Sequence, residues 1–346
     1  MKKEHILVIR LSAMGDVALS VPVLTAFSRQ YPKVRLTVLT RALFAPMFAH
    51  LPNCEVVTPD LKGKHNGLKG LFRLYKELKS RQITAVADLH NVLRSNVLKV
   101  FFKCNGIPFF QIDKGRREKK VLVRAKNKKF APLKPTYLRY ADVFQKLGYP
   151  LDLQQPVFAP KSAVSPEVAQ IFLPQKKYVG IAPFAAHLGK QYPLEKMKII
   201  VQKLSQNPDI QIFLFGGGVR EKELLSAWEA LPQRVILVEK FAFGQELEII
   251  SHLHLMLSMD SGNAHLAAMY GVPTLTLWGV THPYAGFAPY AQPSDYCLLP
   301  NLQKFPKIPT SVYGNKFPQG YEKAIETIVP EVVIQKINQI LNTKNN

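Results

Sequence analysis

Cysteine is scarce in this chain. Its 346 residues hold only Cys54, Cys104 and Cys297, an odd number, far apart and in no Cys-x-x-Cys pair. That excludes a disulfide scaffold and a cysteine-based zinc site, and it fits a reducing compartment. No apolar run approaches the roughly 18–20 residues that span a bilayer. The opening MKKEHILVIRLSAMGDV has a basic head, but Arg10 interrupts its apolar run and no small-residue cleavage site follows, so no signal peptide is expected. A GxGxxG after the first strand is missing too, which removes support for a dinucleotide-dependent dehydrogenase. What is present is a hydrophobic content of 47% with 20% charged residues, enough for a packed core. At roughly 100–200 residues per domain, the length predicts two domains. The expectation is a soluble, cytoplasmic, bilobal protein.

Acids are few beside bases, 24 against 46, and the imbalance is uneven. Residues 1–155 hold 29 Lys+Arg against 10 Asp+Glu, whereas 156–346 hold 17 against 14. Nearly all the excess therefore lies in the first half, much of it between 62 and 129. Either this half meets something anionic (nucleic acid, an acidic membrane surface, a phosphorylated substrate) or it is a solvated surface.

Strand and helix patterns alternate twice along the chain. Strands are expected at His5–Arg10, Val34–Thr40, Cys54–Thr58, Ala85–His90 and Phe109–Ile112, with helices at Gly67–Arg81 and Thr136–Leu147. Five prolines between 150 and 176 mark a linker. Strands then recur at Tyr178–Pro183, Ile210–Phe215, Val235–Val238, Leu255–Met259 and Thr274–Trp278, with helical patterns at 194–206, 220–231, 245–253 and 263–270. Such alternation predicts α/β architecture: two Rossmann-like domains with parallel sheets facing across a cleft. Doubly wound sheets bind ligands at the carboxyl ends of their strands, and four motifs lie there.

In Leu11-Ser12-Ala13-Met14-Gly15-Asp16, Asp16 is either a helix-capping acid or a carboxylate able to take a proton from a bound hydroxyl. In Met259-Asp260-Ser261-Gly262-Asn263-Ala264-His265, backbone N–H groups at a helix start suit phosphate, His265 lies one turn in, and Asp260 suits sugar hydroxyls. The bland alternative is a capped helix with a buried histidine. In the loop Ala182–Pro193, Lys190 is either solvated or placed to neutralise a leaving diphosphate without a metal. After Gly216-Gly217-Gly218, Glu221 is either a helix N-terminal acid or a partner for ribose hydroxyls. No DxD pair occurs in the second half.

Together these segments resemble glycosyltransferase family 9, the ADP-heptose:lipopolysaccharide heptosyltransferases. The resemblance rests on LSAMGDV, on Asp88-Leu89-His90 with Arg94-Ser95, on Lys190-Gln191-Tyr192-Pro193, and above all on MDSGNAHLAAMYGVPTLTLWGVTHP. It implies a GT-B fold, with an acceptor domain over 1–155 and a nucleotide-sugar domain over 156–320. A last helix within 321–346 is expected to cross back to the first domain. It implies Asp16 as general base and Lys190 on the donor phosphates. Glu221 is implied on the ribose, Phe241 near the adenine, Asp260 on the donor heptose, and Ser261, Gly262 and His265 in the phosphate turn. Ala185 and Ala186 stand in the donor loop where relatives often carry hydroxyls, so only backbone donors remain there. The implied reaction is inverting transfer of a heptose from ADP-heptose to the inner core of lipopolysaccharide. No metal or resident cofactor is expected, the nucleotide-sugar being a co-substrate. An anionic acceptor and the anionic inner face of the cytoplasmic membrane would explain the basic first half. Candidate contacts are Lys62, Lys64, Arg94, Arg116, Arg117, Lys119 and Lys120. The alternatives are another nucleotide-sugar or glycan acceptor in the same family, or a basic nucleic-acid-binding protein. The run Lys119–Lys129 has no interleaved aromatics to stack bases, so nucleic acid is not expected as a partner.

Overall fold

The structure is a computed structural model that describes residues 4–226, 228 and 235–343. In chain order its elements are β1 (His5–Ile9), α1 (Met14–Ala18), α2 (Ser20–Gln30), β2 (Arg35–Leu39), β3 (Cys54–Val57), α3 (Gly67–Lys79), β4 (Ala85–Asp88), α4 (Leu93–Cys104), β5 (Phe109–Gln111), α5 (Arg116–Leu122) and α6 (Thr136–Lys146). There follow α7 (Pro166–Ala169), β6 (Lys177–Ala182), α8 (Leu194–Ser205), β7 (Ile210–Leu214), α9 (Val219–Ser226), β8 (Val235–Leu237), α10 (Phe243–Ser251), β9 (Leu255–Met259), α11 (Gly262–Met269), β10 (Thr274–Leu277), β11 (Cys297–Leu298) and α12 (Pro330–Asn342). Part of the helical pattern expected at 220–231 lies outside the described residues.

The chain divides into two compact units, Met1–Lys114 with Lys134–Ala159, and Gly115–Leu133 with Pro160–Asn346. The first holds a five-stranded sheet in the order β3-β2-β1-β4-β5, parallel throughout. All five residues of β1 are buried, because helices cover both sheet faces. On one face Leu7, Ile9, Val86 and Phe109 meet Leu71, Leu74 and Leu78 of α3 and Leu98 and Phe102 of α4. Elsewhere α2 packs on α6 through the Phe27 and Phe144 rings, 4.9 Å apart.

The second unit holds a six-stranded parallel sheet in the order β11-β10-β9-β6-β7-β8. Two expectations change here. The last helix, α12, does not leave this unit: its stripe Val333, Ile337 and Ile340 is buried in the same core as Met197, Ile200 and Leu204 of α8. That apolar stripe is its anchor. The boundary also falls at Ala159 rather than 155, and 115–133 counts with the second unit. Leu133 donates its N–H to the Tyr284 carbonyl (2.9 Å), and Phe130 packs on His282 and Tyr284.

In each sheet the chain order reverses once, between β1 and β4 and between β6 and β9. A doubly wound sheet opens a crevice for ligands at the carboxyl ends of such a pair.

Candidate active site

At the first reversal, the loop after β1 leads into α1, whose N-cap is Ala13 with no side-chain cap bond. Asp16 is therefore not the capping acid. It lies in the first turn, where its carboxylate pairs with the Arg10 guanidinium. Arg10 is 5% exposed. It also donates to the Leu89 carbonyl (2.6 Å) and lies over the Tyr140 ring, whose hydroxyl donates to the Asp16 carbonyl (3.1 Å). Asp16 is thus gripped from both ends, yet its side chain keeps 26% of its exposure.

Beside it, the loop after β4 is folded by Asp88. This buried carboxylate accepts the N–H groups of His90 and Asn91 (both 2.9 Å) and the Gln111 amide (2.8 Å). Ser95 ends that loop by accepting the Val92 N–H (2.9 Å), which starts α4. His90 faces the Ser12 hydroxyl at 3.5 Å. Burial pushes its imidazole down to about 3, helped by the charges of Arg10, Lys114, Arg41 and Arg94. These four cations follow β1, β5, β2 and β4 respectively, so one end of one parallel sheet collects four cations near a neutral histidine, the buried Asp88 and the part-exposed Asp16. Of this group, Asp16 and Arg94 were named from the sequence. Arg10, Arg41 and Lys114 were not, although each lies within three residues of a strand's carboxyl end.

At the second reversal, the loop after β6 runs through a 3₁₀ turn, Leu188–Lys190, and the loop after β9 holds Asp260. The Lys190 ammonium lies 2.8 Å from Asp260 Oδ2 and 3.2 Å from its carbonyl oxygen. A lysine has three N–H donors, so these contacts use two of them. Thr281, after β10, donates its hydroxyl to the same Oδ2 (2.8 Å). Asp260 is held by the protein rather than standing open, at 8% exposure. Three glycines shape the floor. Gly314 has φ +82, and a methyl there would approach Lys190 Cγ to 2.6 Å. A methyl on Gly279 would overlap the Gly189 carbonyl oxygen, which accepts the Val280 N–H (2.8 Å).

Directly after Asp260, Ser261 is the N-cap of α11, but its hydroxyl meets Ser258 Oγ (3.0 Å) rather than the helix. No side chain caps α11, so the first-turn N–H groups from Gly262 onward keep their donor capacity beside the Lys190 ammonium. His265 is buried one turn in.

The other expected residues are placed as follows. Ala185 is buried, its carbonyl accepting the Gln191 amide (2.9 Å), and Ala186 is exposed. Glu221 turns back to accept the Gly217 N–H (2.7 Å), so its carboxylate closes its own glycine turn. Phe241 is half-buried just before α10. Lys64 pairs with Glu77 (2.6 Å). Arg116, Arg117 and Lys120 are exposed on α5, within the second unit. Lys119 is buried with its ammonium 3.9 Å from the Phe287 ring centre, so it is not a surface contact.

Two units, each built on a parallel sheet, agree with the two Rossmann-like domains expected from the sequence. A family model for glycosyltransferase family 9 (heptosyltransferase) matches residues 71–315. The chain belongs to glycosyltransferase family 9. It is a glycosyltransferase built on the two-sheet α/β plan of the GT-B heptosyltransferases. It is 25% identical over 295 residues to the lipopolysaccharide core heptosyltransferase OpsX of Haemophilus influenzae, covering 83% of this chain and 82% of that one. It is 26% identical over 359 residues to lipooligosaccharide heptosyltransferase 2 of the same organism, covering 97% and 99%. Among solved structures, the fold is similar to the Escherichia coli heptosyltransferase WaaC solved with ADP-2-deoxy-2-fluoro heptose. The TM-score is 0.67 at 18% identity, over 97% of this chain and 99% of that one.

Among the described residues no helix is long and apolar enough to cross a membrane, and no group of three or more His, Cys, Asp or Glu could hold a metal ion.

Proposed function

We propose that this family 9 enzyme transfers a heptose from ADP-heptose to a hydroxyl of the lipopolysaccharide inner core, with inversion at the anomeric carbon. The reading is carried by one observation: Lys190 and Asp260 meet at the reversal point of the second sheet, beside an uncapped helix N-terminus. A cation and backbone donors suit a diphosphate, and a carboxylate suits sugar hydroxyls. The names of the relatives and the ligand of the similar WaaC structure point to the same donor.

In the reaction, the acceptor hydroxyl gives its proton to Asp16 as its oxygen bonds to the anomeric carbon. The bond from that carbon to the diphosphate oxygen breaks, and ADP leaves from the opposite face. Lys190 and the α11 N–H groups act where the leaving charge develops, which is how fixed donors lower a barrier. With that charge met by protein groups, turnover proceeds without a metal ion. Arg41, Arg94 and Lys114 hold the acidic groups of the acceptor, the buried Arg10 being occupied by Asp16, and His90, neutral at working pH, adds no charge of its own. Such an acceptor is lipid-borne and anionic, so the enzyme works against the cytoplasmic face of an anionic membrane.

The test is incubation of purified enzyme with ADP-heptose and a truncated core acceptor, with and without EDTA, and NMR of the product. A new heptosyl linkage of inverted configuration, formed equally with EDTA, is expected. Retained configuration, or activity abolished by EDTA and restored by a divalent ion, refutes the mechanism.

A further inference from the structure

The first unit shows solvent a set of apolar side chains that its core does not use. On α3 the core takes Leu71, Leu74, Tyr75 and Leu78. Leu68 and Phe72, one turn apart, remain 69% and 43% exposed. On α4, Leu98 and Phe102 face the core, whereas Leu93 and Val100 are 81% and 58% exposed. Val97 and Phe101, half-buried against the edge of the core, fall on the same helical stripe as the exposed Leu93 and Val100 and link them to it. The two stripes join, because the Phe72 and Phe101 rings meet edge-on at 5.3 Å. A continuous apolar ridge results, and single exposed apolar residues would not form one.

Its border is cationic. Lys69, Arg73, Lys76 and Lys79 lie along α3, and the Lys76 ammonium sits 4.8 Å from the Phe72 ring centre. The one acid of α3, Glu77, is occupied by Lys64 (2.6 Å) and His65 (3.2 Å). Helix α4 carries Arg94, Lys99 and Lys103 and no acid. It starts in the loop that holds His90, so the ridge begins beside the cluster of Arg10 and Asp16.

We propose that this ridge is the surface by which the enzyme docks on an anionic lipid bilayer. The apolar side chains enter the boundary between headgroups and acyl chains, and the lysines stay at the phosphates. The charge chooses this occupant. A two-fold contact with a second copy would set the same ridge against itself and oppose like charges. A bilayer accepts loosely spaced aliphatic side chains and a cationic border together. The inference deepens the lipid-borne acceptor reading and rests on it for its biological sense, while its test is separate.

Wild-type enzyme is floated with vesicles of phosphatidylcholine alone and with added phosphatidylglycerol. It is compared with the triple variant Leu68→Ser/Leu93→Ser/Val100→Ser and with Lys69→Glu/Lys76→Glu. All these positions are exposed, and thermal melting checks the fold. Binding to the anionic vesicles only is expected, falling by about tenfold or more in each variant. Transfer to a delipidated, water-soluble acceptor should be unchanged. A folded triple variant that binds like wild type overturns the proposal, as does wild-type binding that ignores lipid charge. So does a wild-type dimer that the triple variant dissolves, since that assigns the ridge to a second copy. A wild type that floats with anionic vesicles but transfers no sugar keeps the ridge and refutes the reaction instead.

Discussion

Lys190→Met separates what the Lys190–Asp260 pair does for the fold from what it does for the reaction. The two side chains are 15% and 8% exposed. Removing the ammonium leaves a buried carboxylate whose Oδ2 keeps only the Thr281 hydroxyl. Breaking a buried pair costs about 3–5 kcal/mol, and residual exposure with the retained hydroxyl trims this to about 2–4 kcal/mol. At roughly 2–4 °C per kcal/mol for a unit of this size, the melting temperature falls by about 4–16 °C. Lys190→Met/Asp260→Asn also removes the orphaned charge and leaves an amide that accepts from Thr281. It should recover much of the loss, giving an interaction energy of about 1–3 kcal/mol in a double-mutant cycle. Calorimetry and urea titration measure this. In steady-state kinetics at a temperature where Lys190→Met is folded, loss of a fixed charge at the leaving group lowers kcat by about 10²–10³-fold. A Lys190→Met enzyme as stable as wild type refutes the buried-pair reasoning. A folded one with kcat within a few-fold of wild type removes Lys190 from the reaction.

Two further outcomes follow from the geometry. Gly314→Ala forces a methyl to within 2.6 Å of Lys190 Cγ at a positive φ, so it should lower kcat by displacing the lysine stem; unchanged kcat in the folded variant contradicts this. The low value of His90, about 3, sets a pH response. The unfolded chain takes up that proton as pH falls through about 6.5 while the folded chain does not. Stability is therefore complete above that range and is lost below it, by about 2 kcal/mol at pH 5 from this residue. His282, held down to about 4 by burial and Lys128, acts with the same sign. Urea unfolding at pH 7 and 5 should show a smaller loss in His90→Gln than in wild type, and equal losses would contradict the assignment.

Short strands of β-branched residues between turn signals were legible because a fully buried parallel strand has few other readings. His5–Ile9, Leu255–Met259 and Thr274–Leu277 are such cases. Helix α4 was not legible, because its apolar residues cover two faces, one for the core and one for solvent. Helix α12 was expected on the first unit and packs on α8 instead, since an apolar stripe does not name its partner. At the sites, Asp16, Lys190 and Asp260 stand out in the sequence because each has a distinctive neighbourhood, and the structure brings the last two together. Arg10, Arg41 and Lys114 were missed because a cation after a strand looks local. Only the order β3-β2-β1-β4-β5 brings those strand ends together. The same holds for Lys190 and Asp260. Each was assigned its own part of a ligand, and strand adjacency makes them partners.

Asp16→Asn tests the central claim most directly. The amide keeps the size of the side chain and an oxygen for Arg10, and removes the ability to take a proton together with the charge that faces Arg10, so the melting transition is measured beside the kinetics. The account predicts a folded enzyme that binds ADP-heptose as wild type does and turns over roughly 10²–10⁴-fold more slowly. Turnover within a few-fold of wild type, in a variant with an intact melting transition, would contradict it.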